Sequence, residues 1–119
     1  MKIPRIIYSN WRLNLISWFF KVGGFTFFPW IVLREHYRDD PRYAERNKIT
    51  TNHESIHIEQ QKEMLVLPFY IWYLIEWFFR LFLPGNAYRN ISFEREAYAN
   101  QLNINYINSR KFWAFLKYL

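Results

Sequence analysis

Residues 52–61 read Asn-His-Glu-Ser-Ile-His-Ile-Glu-Gln-Gln, and the rest of the chain is organised around this NHESIHIEQQ stretch. It holds two of the three histidines, His53 and His57, four residues apart, with Glu54 directly after the first. On an α-helix, residues i and i+4 lie one turn apart on the same face, so two imidazoles can converge on one cation. That is half of a zinc site. Glu54 projects beside such an ion rather than at it, where a carboxylate can take a proton from a water that the metal activates. The spacing predicts a metal helix from about Thr50 to Leu67, with Asn47, Thr50 and Thr51 as alternative caps. A competing reading is a solvated first turn, in which Thr51 and Glu54 form a T-x-x-E capping box and the histidines point to water. The flanking Ile56, Ile58 and Met64 favour a helix packed into a core.

The 119 residues predict a single domain, 1–119, of mainly α (α+β) class. Half of the composition is apolar (51%), with 12 Phe, 9 Tyr and 6 Trp, yet the formal net charge is +6. That mixture fits a dense aromatic core with a basic rim, or a surface that rests on an anionic membrane. Cysteine is absent, which excludes disulfides and thiolate ligands, so any zinc must be held by histidine and carboxylate. The start MKIPR and the late onset of apolar residues give no secretory signal, so a cytoplasmic location is expected, either free or peripheral on the inner face of a membrane. Lys and Arg are spread along the chain and no nucleic-acid motif is present, so nucleic acid is not expected as a partner.

Taken in order, the chain begins with a short extended segment broken by Pro4. An amphipathic helix follows, capped by Asn10, with Trp11, Leu15, Trp18 and Phe19 at helical spacing. After Gly23-Gly24, the β-branched and aromatic run at 25–34 reads as a short edge strand or hairpin, with Pro29 unable to donate to a ladder. An exposed edge there could hold an extended peptide by strand addition. Glu35 to Lys48 reads as a loop over the site, with Asp40-Pro41 able to start a short helical turn within it. Residues 64–83, MLVLPFYIWYLIEWFFRLFL, are long enough to span a membrane, but Pro68 interrupts them and Glu76 and Arg80 sit at i and i+4 as an ion pair. Ser92 caps a helix expected to run to about Asn108, followed by a second short one.

A catalytic zinc site needs a third protein ligand and a position for water. Glu59 points away from His57, Glu63 lies more than a turn beyond, and Glu76 is explained by Arg80. This leaves Phe93-Glu94-Arg95-Glu96-Ala97-Tyr98. The pair of motifs His53-Glu54-Ser55-Ile56-His57 and Glu94-Arg95-Glu96-Ala97 resembles the HExxH and ExxA signature of the gluzincins, zinc metallopeptidases whose third ligand is a glutamate. The phrases HESIHIEQQ and ISFEREAYAN are also similar to a group of small, uncharacterised bacterial proteins. The resemblance implies a zincin-like fold, Zn2+ held by His53, His57 and Glu94, Glu54 as general base, and a peptide or protein substrate. Many gluzincins carry Asp after that alanine, where this chain has Tyr98. A stabiliser of the tetrahedral intermediate is not given by the motifs, and Tyr98, Tyr106 and His36 are the candidates. Ala97 supports Glu94 independently, because a small residue one turn on lets this helix approach the metal helix closely. Glu96, about 200° further round the wheel than Glu94, is expected to face solvent or an arginine.

The same hypothesis constrains the path of the chain. A straight helix from His57 to Leu83 would be about 39 Å long, too far for a short turn to bring Glu94 back. A reversal near Pro68 is therefore expected, with the aromatic run as core or as a membrane-resting surface. The rival reading is a non-catalytic, membrane-associated or partner-binding helical protein with a structural or degenerate metal site. In it the exposed aromatic surface is buried against lipid or in a homodimer.

Overall fold

The protein is seen here as a computed structural model that describes residues 5–16 and 24–119. Trp18 and Phe19, assigned to the first helix, lie outside these residues. Three short strands, β1 (Arg5–Tyr8), β2 (Gly24–Phe27) and β3 (Trp30–Leu33), form a sheet in the order β1-β3-β2. β1 runs parallel to β3, and β2 antiparallel to it. β3 is central and reads Trp-Ile-Val-Leu, with Ile31, Val32 and Leu33 buried, as a strand covered on both faces requires. Residues 25–34 are thus a hairpin. Pro29 follows a cis bond in its turn, outside the ladder.

β1 leads into α1 (Asn10–Ile16), whose Leu13 is fully buried. Asn10 does not cap its own helix. Its side chain accepts from the Glu35 backbone N–H at 3.0 Å while its own N–H donates to the Glu35 carboxylate at 3.1 Å.

The helical turn expected from Asp40-Pro41 is a 3-10 turn (Pro41–Tyr43), but the rest of the loop expected over 35–48 is instead α2 (Glu35–Asp39) and the first turn of α3 (Ala44–Met64). Asp40 caps the 3-10 turn by accepting from the Arg42 N–H, and Ala44, Glu45 and Arg46 are strong helix formers that start α3 six residues before Thr50. Asn47, Thr50 and Thr51 are therefore interior positions, not caps, and the capping box does not form.

α3 ends at Met64, and the chain reverses at Leu65 (φ 64°) rather than at Pro68. Pro68 is the third residue of α4 (Val66–Arg80), where its missing N–H would have no intrahelical partner anyway. Among the described residues, no helix is long and apolar enough to cross a membrane.

Glu76 is not committed to Arg80. It accepts from Trp72 Nε1 at 2.7 Å, from the Ser92 N–H at 2.9 Å and from the Ser92 hydroxyl, so it caps the start of α5 (Ser92–Asn100). Ile91, one residue before Ser92, is the N-cap. α5 stops eight residues short of Asn108, and Asn100 bonds back to the Glu96 carbonyl at 2.8 Å. The chain continues through α6 (Tyr106–Ser109) to a second 3-10 segment (Ala114–Tyr118). Phe69 and Tyr73 of α4 meet Ile91, Phe93 and Phe115 in the aromatic core.

Candidate metal centre

α3 carries few apolar residues, yet Asn52, His53, Glu54, His57, Gln60 and Gln61 are all buried. Such a polar face is tolerable only if its groups find partners. The neighbours supply them. Gln61 donates to the Thr26 carbonyl at 2.9 Å and accepts from the Phe28 N–H at 2.7 Å, while the Tyr70 hydroxyl also meets the Thr26 carbonyl. These bonds fasten α3 to the outer edge of β2. The strand addition expected at that edge is blocked at Thr26 and Phe28.

α5 lies against α3 with Ala97 fully buried between them, and Glu94 is brought to the two histidines. Glu94 Oε1 is 3.0 Å from His53 Nε2 and 3.2 Å from His57 Nε2, and one ligand atom from each residue lies within 4.8 Å of the others. Zinc bonds of about 2.0–2.1 Å put tetrahedral ligand atoms about 3.3 Å apart. The two spacings from Glu94 are within a few tenths of an ångström of that.

The surrounding hydrogen bonds fix which atoms face the centre. Gln60 Nε2 donates to the Phe93 carbonyl at 3.1 Å and to Glu96 Oε1 at 3.0 Å. Both partners are acceptors, so the amide orientation is settled and Gln60 Oε1 must accept from His57 Nδ1, 2.7 Å away. A neutral His57 then carries its proton on Nδ1 and turns the Nε2 lone pair inward. That Nε2 is buried and makes no hydrogen bond. Gln101 Oε1 sits 2.8 Å from His53 Nδ1 in the same role, and Asn52 holds the turn that bears Gln101 by donating to the Gln101 and Asn103 carbonyls. Tyr73 donates to Glu94 Oε2 at 2.8 Å, which occupies one carboxylate oxygen and leaves Oε1 to the centre.

Two imidazole lone pairs and an anionic oxygen aimed at one point repel one another unless positive charge sits between them. Two nitrogens and one oxygen, without sulfur, suit zinc better than the all-oxygen-seeking Mg2+ or Ca2+. The protonation of the bare side chains expresses the same need. Burial alone would push the His57 imidazole down, but Glu94 against it outweighs burial and raises it to about 9. Burial would raise the Glu94 carboxyl, yet His57 and His53 hold it well below the usual carboxylate range. Burial and Glu94 together keep the Tyr73 hydroxyl protonated far above its ordinary range.

Glu54 is not among the three converging atoms. It faces β2, where Thr26 Oγ1 donates to its Oε2 at 2.6 Å. Gly24 leaves room for it: a Cβ there would come within 2.8 Å of Leu33 Cδ2 and 3.1 Å of Glu54 Oε1. Glu54, His57 and Glu94 line one wall of a cavity of about 330 Å³ whose other walls are mostly apolar, including Phe25, Phe69, Tyr70 and Leu74. A smaller polar opening of about 80 Å³ is lined by Glu54 and His53 together with Arg46, Thr50 and Gln101. Tyr88 lines both, and burial followed by Glu94 raises its hydroxyl well above the ordinary range.

Of the residues singled out from sequence, His53, His57, Glu94 and Glu54 are together. Tyr98 packs edge-on against His53 at 4.5 Å between centroids and lines the smaller opening. Tyr106 lines neither opening and donates to Glu96 at 2.7 Å. His36 is exposed on α2 between Tyr37 and Tyr43. Glu96 does not face solvent. It is fully buried, paired with Arg110, which also grips Glu63. Sequence reasoning missed Gln60, Gln101, Thr26, Tyr73 and Tyr88. Only Gln60 had a local signal, as an amide one turn after His57 in HIEQ. The others arrive from elements distant in sequence. No known protein family, curated protein or solved structure matches the chain.

Proposed function

We propose that the protein is a zinc-dependent metallopeptidase of the gluzincin kind, with His53, His57 and Glu94 as metal ligands and Glu54 as general base. The observation that carries this reading is the convergence of three buried ligand atoms, two of them imidazole nitrogens turned inward by glutamine acceptors. Zinc bound there would supply Lewis-acid polarisation of a carbonyl and would acidify a water. Glu54, oriented by Thr26, takes the proton from the attacking water and returns it to the leaving amine. Tyr88, which lines both openings beside Glu54, takes the place of His36 and Tyr106 as the candidate donor for the developing oxyanion; Tyr98 supports the His53 ring. The apolar walls favour a peptide with a large apolar side chain beside the scissile bond.

Glu54→Gln tests the assignment. It should retain zinc at one equivalent and lose about 10²–10⁴-fold in turnover of an apolar peptide. A fully active Glu54→Gln protein removes Glu54 from the mechanism. The rival reading, a partner- or membrane-binding module with a structural metal site, draws on the exposed apolar face of α4. A fourth protein ligand in the zinc-loaded protein, with no position left for water, would favour it.

A further inference from the structure

We propose that one face of this protein docks on an anionic lipid bilayer, and that the cavity at Glu54 opens within that face. α4 buries only Phe69 and Tyr73. On its opposite side Leu67, Ile71, Leu74, Ile75 and Phe78 form a stripe of large apolar side chains, each more than half exposed. An amphipathic helix of this kind, too short to span, lies in the plane of an interface.

The stripe continues onto the neighbouring elements. Tyr70 of α4 stacks on Phe27 of β2, and Phe27 is the register partner of Trp30 on β3; both Phe27 and Trp30 are exposed. Leu74, one turn after Tyr70, shares the cavity with Leu15 of α1, and Trp11 lies one helical turn before Leu15. Trp11 and Leu15 are each more than 60% exposed.

The rim chooses the occupant. Arg5 lies over the Trp30 ring at 5.5 Å and Arg12 over the Trp11 ring at 4.6 Å. Exposed tryptophans at the border of an apolar patch, each carrying an arginine, match the headgroup level of a bilayer, where indole sits between oil and water and guanidinium meets phosphate. The net charge of +6 adds attraction to anionic lipid and repulsion between two copies of the chain. Because Leu15 and Leu74 belong both to this face and to the cavity wall, docking puts the mouth of the cavity against the lipid.

The test is co-sedimentation of the full chain with vesicles of phosphatidylcholine alone and with added phosphatidylglycerol, at low and high salt. Binding should require the anionic lipid and weaken with salt. Arg5→Ala and Arg12→Ala should each weaken it about fivefold. Phe78→Ser, at a half-exposed position where folding is not at risk, should weaken it about 10-fold or more. The native and variant proteins are compared by circular dichroism and analytical ultracentrifugation. Failure to bind either vesicle, equal binding to both, or a concentration-dependent dimer that Phe78→Ser dissolves would each overturn the proposal. Lipid binding is read without zinc or substrate, so a protein that binds vesicles and cleaves nothing keeps the docking face and loses only the peptidase reading.

Discussion

Gln60→Met isolates the claim that glutamine acceptors aim the metal-binding nitrogens. The substitution keeps the approximate shape and apolar character of the buried stem while removing every hydrogen bond of the amide. Three partners are affected: His57 Nδ1 at 2.7 Å, the Phe93 carbonyl at 3.1 Å and Glu96 Oε1 at 3.0 Å. Glu96 keeps Arg110 and Tyr106, so its loss is small. The Phe93 carbonyl keeps its intrahelical bond from the Ala97 N–H, so the group left buried without a partner is His57 Nδ1–H, at about 1–3 kcal/mol. The expected destabilisation is about 1–3 kcal/mol, a measurable share of the usual 5–15 kcal/mol. Zinc affinity should fall about 10–100-fold, because the imidazole is no longer held in one tautomer and one orientation. Competition against a chromophoric chelator measures the second effect, and urea denaturation of the zinc-free protein the first. An unchanged zinc affinity in a clearly destabilised Gln60→Met protein would refute the orientation argument and reduce Gln60 to a packing residue.

Two further substitutions separate the base from the ligands and the ligands from their foundation. Gly24→Ala forces a methyl against Leu33 and Glu54, so turnover should drop about 10–100-fold through misplacement of Glu54. Its zinc affinity, measured by the same chelator competition, should stay unchanged, and normal turnover would show that Glu54 has slack. Arg110→Met leaves the buried carboxylates of Glu63 and Glu96 without their shared cation. A loss of about 3–5 kcal/mol is expected in urea denaturation. A loss under about 1 kcal/mol would mean that Arg110 is not their main support.

The hairpin, the polar helix and the reversal illustrate how far local pattern reaches. Phe25 to Arg34 announced strand by its β-branched and aromatic residues, and HExxH announced a helix face by its spacing. The boundaries drifted where tertiary contacts overrode local signals. Thr50 and Thr51 resemble caps but are interior, because Asp40 and Pro41 had already started the helical path. Glu76 had an obvious local partner in Arg80, yet its carboxylate is claimed by Trp72 and by the start of α5. Glu96 shows the same effect more strongly. A charge that the helical wheel turns away from the ligands is buried, because Arg110, fourteen residues on, folds back over it.

What the sequence determined by itself was the set of groups that could bind a cation: two imidazoles a turn apart, a carboxylate beside the first, and a distant ExxA glutamate on a helix with a small residue one turn away. Spacing along one helix is set by its geometry, so that much is readable from residue numbers. The tertiary structure alone decided the orientation of each group. The inward Nε2 atoms depend on Gln60 and Gln101, the free Glu94 oxygen on Tyr73, and the Glu54 carboxylate on Thr26 and the missing side chain at Gly24. Hydrogen bonds act over about 3 Å and are indifferent to separation along the chain, so partners up to 48 residues apart leave no pattern in the sequence that would pair them.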